Sequence, residues 1–261
     1  QGQLRLRQAR PKLEPHTALL ASWLAATPDS ELNFEWNTQD AGWRLRSQAR
    51  FGDGHSQGEA RPRFELSRAG ERWRGEGRDW RVQDVLAWVT PWLDESARNW
   101  LASLDPRGDL PEIALETESG FDTYAVTARL HGVAGRSTHG LPGFDNLTGL
   151  LTFSPERGQL ELDSQRVRVD TAGLLRLPLD FDRLHGTIVW QRDMDGLRLD
   201  STSLEMANSD FNGRFWGSVT LPDRGEPVLD LRGHYRDVRI GRDQARRYLP
   251  VTVIPPAGVA W

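Results

Sequence analysis

Six histidines, at positions 16, 55, 131, 139, 185 and 234, are the first residues to test for chemistry, because imidazole is the commonest general base and metal ligand. None of them forms an HxH or HExxH pair, the spacing that a strand-borne or helix-borne zinc site needs. His139, ahead of Gly140-Leu141-Pro142-Gly143, and His185 read as polar positions on strands or turns. Asp193-Met194-Asp195-Gly196 has the opening of a calcium loop without the closing glutamate, and a hairpin turn explains it better. Glu112, Glu116 and Glu118 fall on one side of an alternating strand. A glycosidase would need two such carboxylates facing each other in a cleft, so a solvated strand face is the simpler reading. There is no GxSxG elbow, and Gly52-Asp53-Gly54 lacks the spacing of a dinucleotide loop. Lys12 is the sole lysine, which removes any P-loop, and the absence of cysteine removes thiol nucleophiles, thiolate zinc and disulfides. The residues predict no enzyme, no cofactor and no metal.

The bulk properties narrow the classes further. The chain has 261 residues with 38% hydrophobic and 27% charged residues, enough for a core but too polar for a polytopic membrane protein. Its longest apolar run, 18–26, is too short to span a bilayer. A net charge of -4 argues against a nucleic-acid partner. Eleven tryptophans argue against disorder. They read first as core packing, and otherwise as sugar-stacking platforms or the walls of a wide apolar lining. The opening on an alternating strand and the stop at Trp261 lead us to expect a fragment of a longer protein.

The scaffold for these residues is β-structure. Apolar and charged residues alternate in Leu4–Arg7, Trp43–Ser47, Gln159–Ser164, Arg166–Asp170, Leu197–Ser201 and Val228–Gly233, the period of a strand with one wet face. Gly, Pro and Asp clusters at 51–58, 154–158, 192–196 and 221–227 mark turns at hairpin distances. Two stretches depart from the alternation. Between Val82 and Leu104 the apolar residues follow a helical stripe that Pro91 interrupts, and Asp94 offers a fresh N-cap. The spacing predicts two short helices there, with Trp92 and Trp100 packing on the sheet's apolar side or closing one end of the groove, and a weaker helix near 15–25.

An internal repeat organises the second half. Residues 144–169 align without a gap on 181–206 at an offset of 37, with eight identities in 26 positions. Among these are Phe144/Phe181, Leu147/Leu184, Gly149/Gly186, Leu162/Leu199 and Ser164/Ser201. Each copy is a hairpin with one apolar face, which it can bury only against neighbours. The repeat predicts consecutive antiparallel strands at 147–153, 159–169, 184–190 and 197–206, with Leu160, Leu162, Leu197 and Leu199 on one face.

The order of the helix pair, Leu101–Leu110, then Gly140–Gln165, then Leu177–Gln191 and finally Arg246–Pro250 resembles the YhdP family, large AsmA-like envelope proteins related to TamB. The resemblance covers most of 80–261. It implies a mostly β fold: an elongated, strongly twisted antiparallel sheet forming an open, taco-like groove, with short helices packing at its end. It also implies a periplasmic location, an inner-membrane anchor in the full-length protein, and phospholipid carried toward the outer membrane. The expected organisation is a β-sheet segment over 1–79 with the helix near 15–25, a helix pair over 80–106, a repeated hairpin groove over 107–240 and the start of a next helical unit over 241–261. Acyl chains would meet Leu147, Leu151, Phe153, Leu160, Leu162, Val167, Val169, Leu184, Ile188, Trp190, Leu197, Leu199, Leu204 and Met206. The expected partners are phospholipid acyl chains, with no nucleic acid, and the expected state is a monomer. The alternatives are a closed β-sandwich serving as a structural or polysaccharide-binding module, an outer-membrane barrel and, last, a hydrolase.

Overall fold

The computed structural model describes residues 31–39, 42–50, 62–90, 93–118, 123–138, 142–171, 173, 175, 177–222, 225, 228–239, 241 and 248. The helix expected near 15–25 and Trp92 lie outside them. The described strands are β1 (Glu31–Gln39), β2 (Gly42–Arg50), β3 (Arg63–Ala69), β4 (Arg72–Arg81), β5 (Arg107–Glu118), β6 (Tyr124–Gly135), β7 (Gly143–Phe153), β8 (Arg157–Asp170), β9 (Leu179–Arg192), β10 (Gly196–Ala207), β11 (Asn212–Pro222) and β12 (Val228–Arg236). Two helices, α1 (Val82–Val89) and α2 (Glu95–Leu104), stand between β4 and β5.

Hydrogen bonding follows the chain strictly, each strand pairing with its neighbours in sequence from β1 to β12. The sheet is antiparallel and does not close, because β1 and β12 are its edges. This is the mostly β, antiparallel class that the alternation predicts, and the open sheet that the family resemblance implies. Short Gly-, Pro- and Asp-rich turns allow nothing but hairpins between most strands. A barrel would need the two edges paired, and a sandwich would need a second sheet; neither occurs among the described residues.

The chain divides into two compact units, residues 1–98 with 109–129 and residues 99–108 with 130–261. In the first, Leu45, Leu66, Gly75 and Leu115 are successive partners across β2 to β5. Trp80 is buried there, and its indole N–H donates to the Arg63 carbonyl at 2.8 Å. Trp43 meets Trp73 edge-on at 5.3 Å, with Arg68 over the Trp73 ring. In the second unit the core comprises Leu130, Val133, Leu147, Leu162, Val167, Phe181, Leu184 and Phe211.

The helix pair forms where the stripe predicts it. Asp94 caps α2 by accepting the Ala97 N–H at 2.8 Å. The expected packing of Trp100 on the sheet is overturned, since α2 buries no residue and Trp100 is 39% exposed. The helix end is held by the Leu104 side chain, 3.0 Å from where a Cβ on Gly135 would stand, and by polar contacts: the Arg136 N–H donates to the Leu104 carbonyl at 2.7 Å, and Arg136 pairs with Asp105 at 3.0 Å. An amphipathic stripe gives a face but not the depth to which that face is covered.

Candidate functional site: an apolar face across β7 to β12

Partners across an antiparallel ladder point to the same side of the sheet. From the registers, one row runs Phe153, Gly158, Trp190, Leu199, Val219, Leu229 over six strands. A second runs Gly149, Leu162, Gly186, Leu204, Phe215, Gly233. A third runs Ser164, Leu184, Met206, Gly213, Tyr235. Leu151, Leu160 and Ile188 are successive partners in the same alternation. Val169 partners Phe144 and Leu179, and Val167 partners Phe181, at odd spacing from Leu162 along β8 and so out of step with that alternation. Leu197 lies two residues from Leu199 on β10, so it shares that side.

Of the fourteen residues predicted to line the apolar side, the registers place eleven on one face: Leu151, Phe153, Leu160, Leu162, Leu184, Ile188, Trp190, Leu197, Leu199, Leu204 and Met206. Leu160, Leu162, Leu197 and Leu199 share it, as the repeat requires. Depth separates the fourteen. Leu147, Leu162, Val167 and Leu184 are buried, Val167 to 1% exposure. The remaining ten are only partly covered. On the edge strand β12 the face is bare, with Leu229 at 58% and Leu231 at 59% exposure.

Sequence reasoning missed the continuation of this face through Phe215, Val219 and Leu221 on β11, and Leu229, Leu231 and Tyr235 on β12. The alternation Phe215, Gly217, Val219, Leu221 was the available signal. It also missed the aromatic end of the face. Phe211 sits edge-on to Phe181, Phe215, Tyr235 and Tyr248 with ring centres 5.5–6.4 Å apart. Tyr248 donates its hydroxyl to the buried Asp210 carboxylate at 2.8 Å and accepts from the Asn208 amide at 3.0 Å. Nothing in the spacing of these residues announces that they meet.

Two local devices shape the face. Trp190 lies flat over Gly158, where an added Cβ would stand only 2.1 Å from the indole. At Gly186, φ is +143° and an added Cβ would meet the Ser203 carbonyl oxygen at 2.1 Å. The glycine of each Leu-x-Gly thus lets the neighbouring backbone approach.

The opposite side is charged and largely self-neutralising. Arg198 grips Asp200 through two bonds of 2.8 and 2.9 Å. The Arg198 hydrogen bond and charge hold the Asp200 carboxyl below the usual carboxylate range. His185 lies 3.6 Å from Asp163, across the β8–β9 pair. Among the described residues no three His, Asp or Glu side chains gather as a metal site would require. None of the described helices is long and apolar enough to cross a membrane.

An open antiparallel sheet with one continuous apolar side defines a surface that can cover apolar matter without enclosing it. The family model described as YhdP protein matches residues 11–261, and the chain belongs to that family. It is also similar to the intermembrane phospholipid transporter YhdP of Escherichia coli strain K12, at 25% identity over 171 residues. That alignment covers 65% of this chain and 13% of the relative, so the chain spans a small part of the relative's length. No solved structure matches it.

Proposed function

We propose that the apolar face of β7 to β12 carries phospholipid acyl chains as one segment of a periplasmic bridge between the inner and outer membranes. The bridge would be anchored in the inner membrane by other parts of the full-length protein and would act as a monomer. The observation that carries this reading is the unbroken row Phe153, Gly158, Trp190, Leu199, Val219, Leu229. Each sheltered methylene gains about 0.8 kcal/mol. A row that repeats from strand to strand keeps that gain nearly level as a chain slides, as a conduit needs. Buried Leu162 and Leu184 form the floor in this reading, and the partly covered residues of the same face form the accessible wall. The family membership and the relative's name support lipid transport over catalysis.

The test uses the pleat. A photo-crosslinking residue replacing Leu199 in the full-length protein should capture phospholipid in cells. One replacing Arg198, which points to the charged side and holds Asp200, should not. Leu199→Asp should fold and impair transport, since Leu199 is only partly covered. Normal lipid movement by folded Leu199→Asp protein would defeat the proposal, and unfolding of that variant would favour a sealed core.

A further inference from the structure

The charged side of β10 to β12 holds an open cleft of about 720 Å³, lined by Thr202, Glu205, Arg214, Trp216, His234 and Arg236. Its origin is a bulge in β10, where the register with β11 slips between Ser201 and Leu204. Trp216 stands opposite both Thr202 and Ser203, two residues against one, and is 37% exposed. Glu205, Arg214 and His234 are successive partners across the three strands, and Arg236 is the partner of Asn212.

Two features separate this cleft from the rest of the charged side. Nearby arginines are neutralised within the sheet: Arg198 by Asp200, Arg168 by Asp180 and Arg232 by Asp230. Arg214 faces Glu205 in the register, yet its Nε donates to the Ser203 hydroxyl at 2.8 Å. Among the described residues, no carboxylate pairs with Arg214 or Arg236. The second feature is Trp216, a large apolar ring left open beside guanidinium groups that no described carboxylate neutralises.

We infer that this cleft binds a sugar ring bearing an anionic substituent, phosphate or carboxylate. The indole face suits the C–H side of a pyranose, and guanidinium forks bind such anions through paired hydrogen bonds. A bare anion would have no use for the indole, and a neutral sugar none for two arginines that no described carboxylate neutralises. The cleft lies on the side opposite the lipid-carrying face, so this inference does not depend on that proposal.

The test follows the indole N–H resonance of Trp216 in the chain, assigned by its loss in Trp216→Phe. Glucose 6-phosphate and glucuronate should both move it, with glucose and inorganic phosphate each binding at least tenfold more weakly. Arg214→Gln/Arg236→Gln should raise the Kd for both anionic sugars tenfold or more. Both side chains are exposed, so the thermal unfolding of the double variant should match that of the parent. A resonance that stays still with both sugars, or equal affinity in the double variant, would overturn the inference. So would phosphate alone binding as tightly as glucose 6-phosphate, which would mark a simple anion site.

Discussion

The side-chain hydroxyl of Ser164 on β8 makes both hydrogen bonds that the backbone of Thr148 on β7 would otherwise lack. It accepts from the Thr148 N–H and donates to the Thr148 carbonyl, each at 2.8 Å. The β7–β8 register breaks between Asp145 and Gly149, so Thr148 has no ladder partner on β8, and Ser164 is 0% exposed. The repeat equivalent, Ser201, donates to the Thr187 carbonyl at 2.8 Å beside the β10 bulge. The Asp-Ser pair inside each repeated strand thus places a hydroxyl where the ladder is interrupted.

Ser164→Ala should therefore cost about 1–3 kcal/mol, because two part-buried backbone groups lose their partner. Urea unfolding with an unchanged slope gives the value. A loss below about 0.5 kcal/mol would mean that the ladder re-pairs around the bulge.

Gly186→Ala should cost about 2–4 kcal/mol, since the new Cβ meets backbone that cannot move independently. Gly173, at φ +82° with open space around it, provides the contrast. Gly173→Ala should cost only about 1–2 kcal/mol, the left-handed penalty itself. Equal losses at both sites would show that conformation, not close approach, selects the glycine of Leu-x-Gly.

The tryptophans should separate by burial. Trp80→Ala, which removes a ring 4% exposed and its bond to Arg63, should cost about 3–5 kcal/mol. Trp100→Ala should stay within about 1 kcal/mol of the parent, as most exposed substitutions do. Thermal unfolding of the two variants side by side makes the comparison.

Periodicity explains how much of this was readable. A period of two states which residues share a side within each regular stretch, such as Leu160 with Leu162 and Leu197 with Leu199, and the repeat supplied the strand order. Periodicity is silent on depth. Leu162 and Leu199 occupy matching repeat positions, yet one is buried and the other partly open, because what covers a residue comes from distant chain. Bulges were equally hidden. Asn146, at φ 62°, donates to the Gln165 carbonyl at 2.8 Å, a pairing between residues that carry no shared local pattern. Tyr248 closing on Asp210 is a contact of the same kind.

Asp200 sets a pH signature on the charged side. Its carboxyl, lowered by Arg198, favours the folded state above the ordinary aspartate pKa, and that contribution fades as pH falls through the lowered value. The pair is exposed, so salt should weaken it. Carboxyl NMR titration should find Asp200 below the usual range, and Arg198→Gln should return it there. An unchanged value in Arg198→Gln would show that the two bonds do not form in solution.

Because β7 to β10 are joined only to neighbours in sequence, the sheet can lengthen or shorten without rethreading. Removing one strand would reverse the direction of all that follow and put like ladders out of phase. Removing 37 residues, 154–190, joins Phe153 to Gln191 and leaves β7 leading into the β10 hairpin turn, with direction and facing both preserved. The quantum of length in this part of the protein is therefore a pair of strands, and its reach can be retuned in such steps by duplication or loss alone.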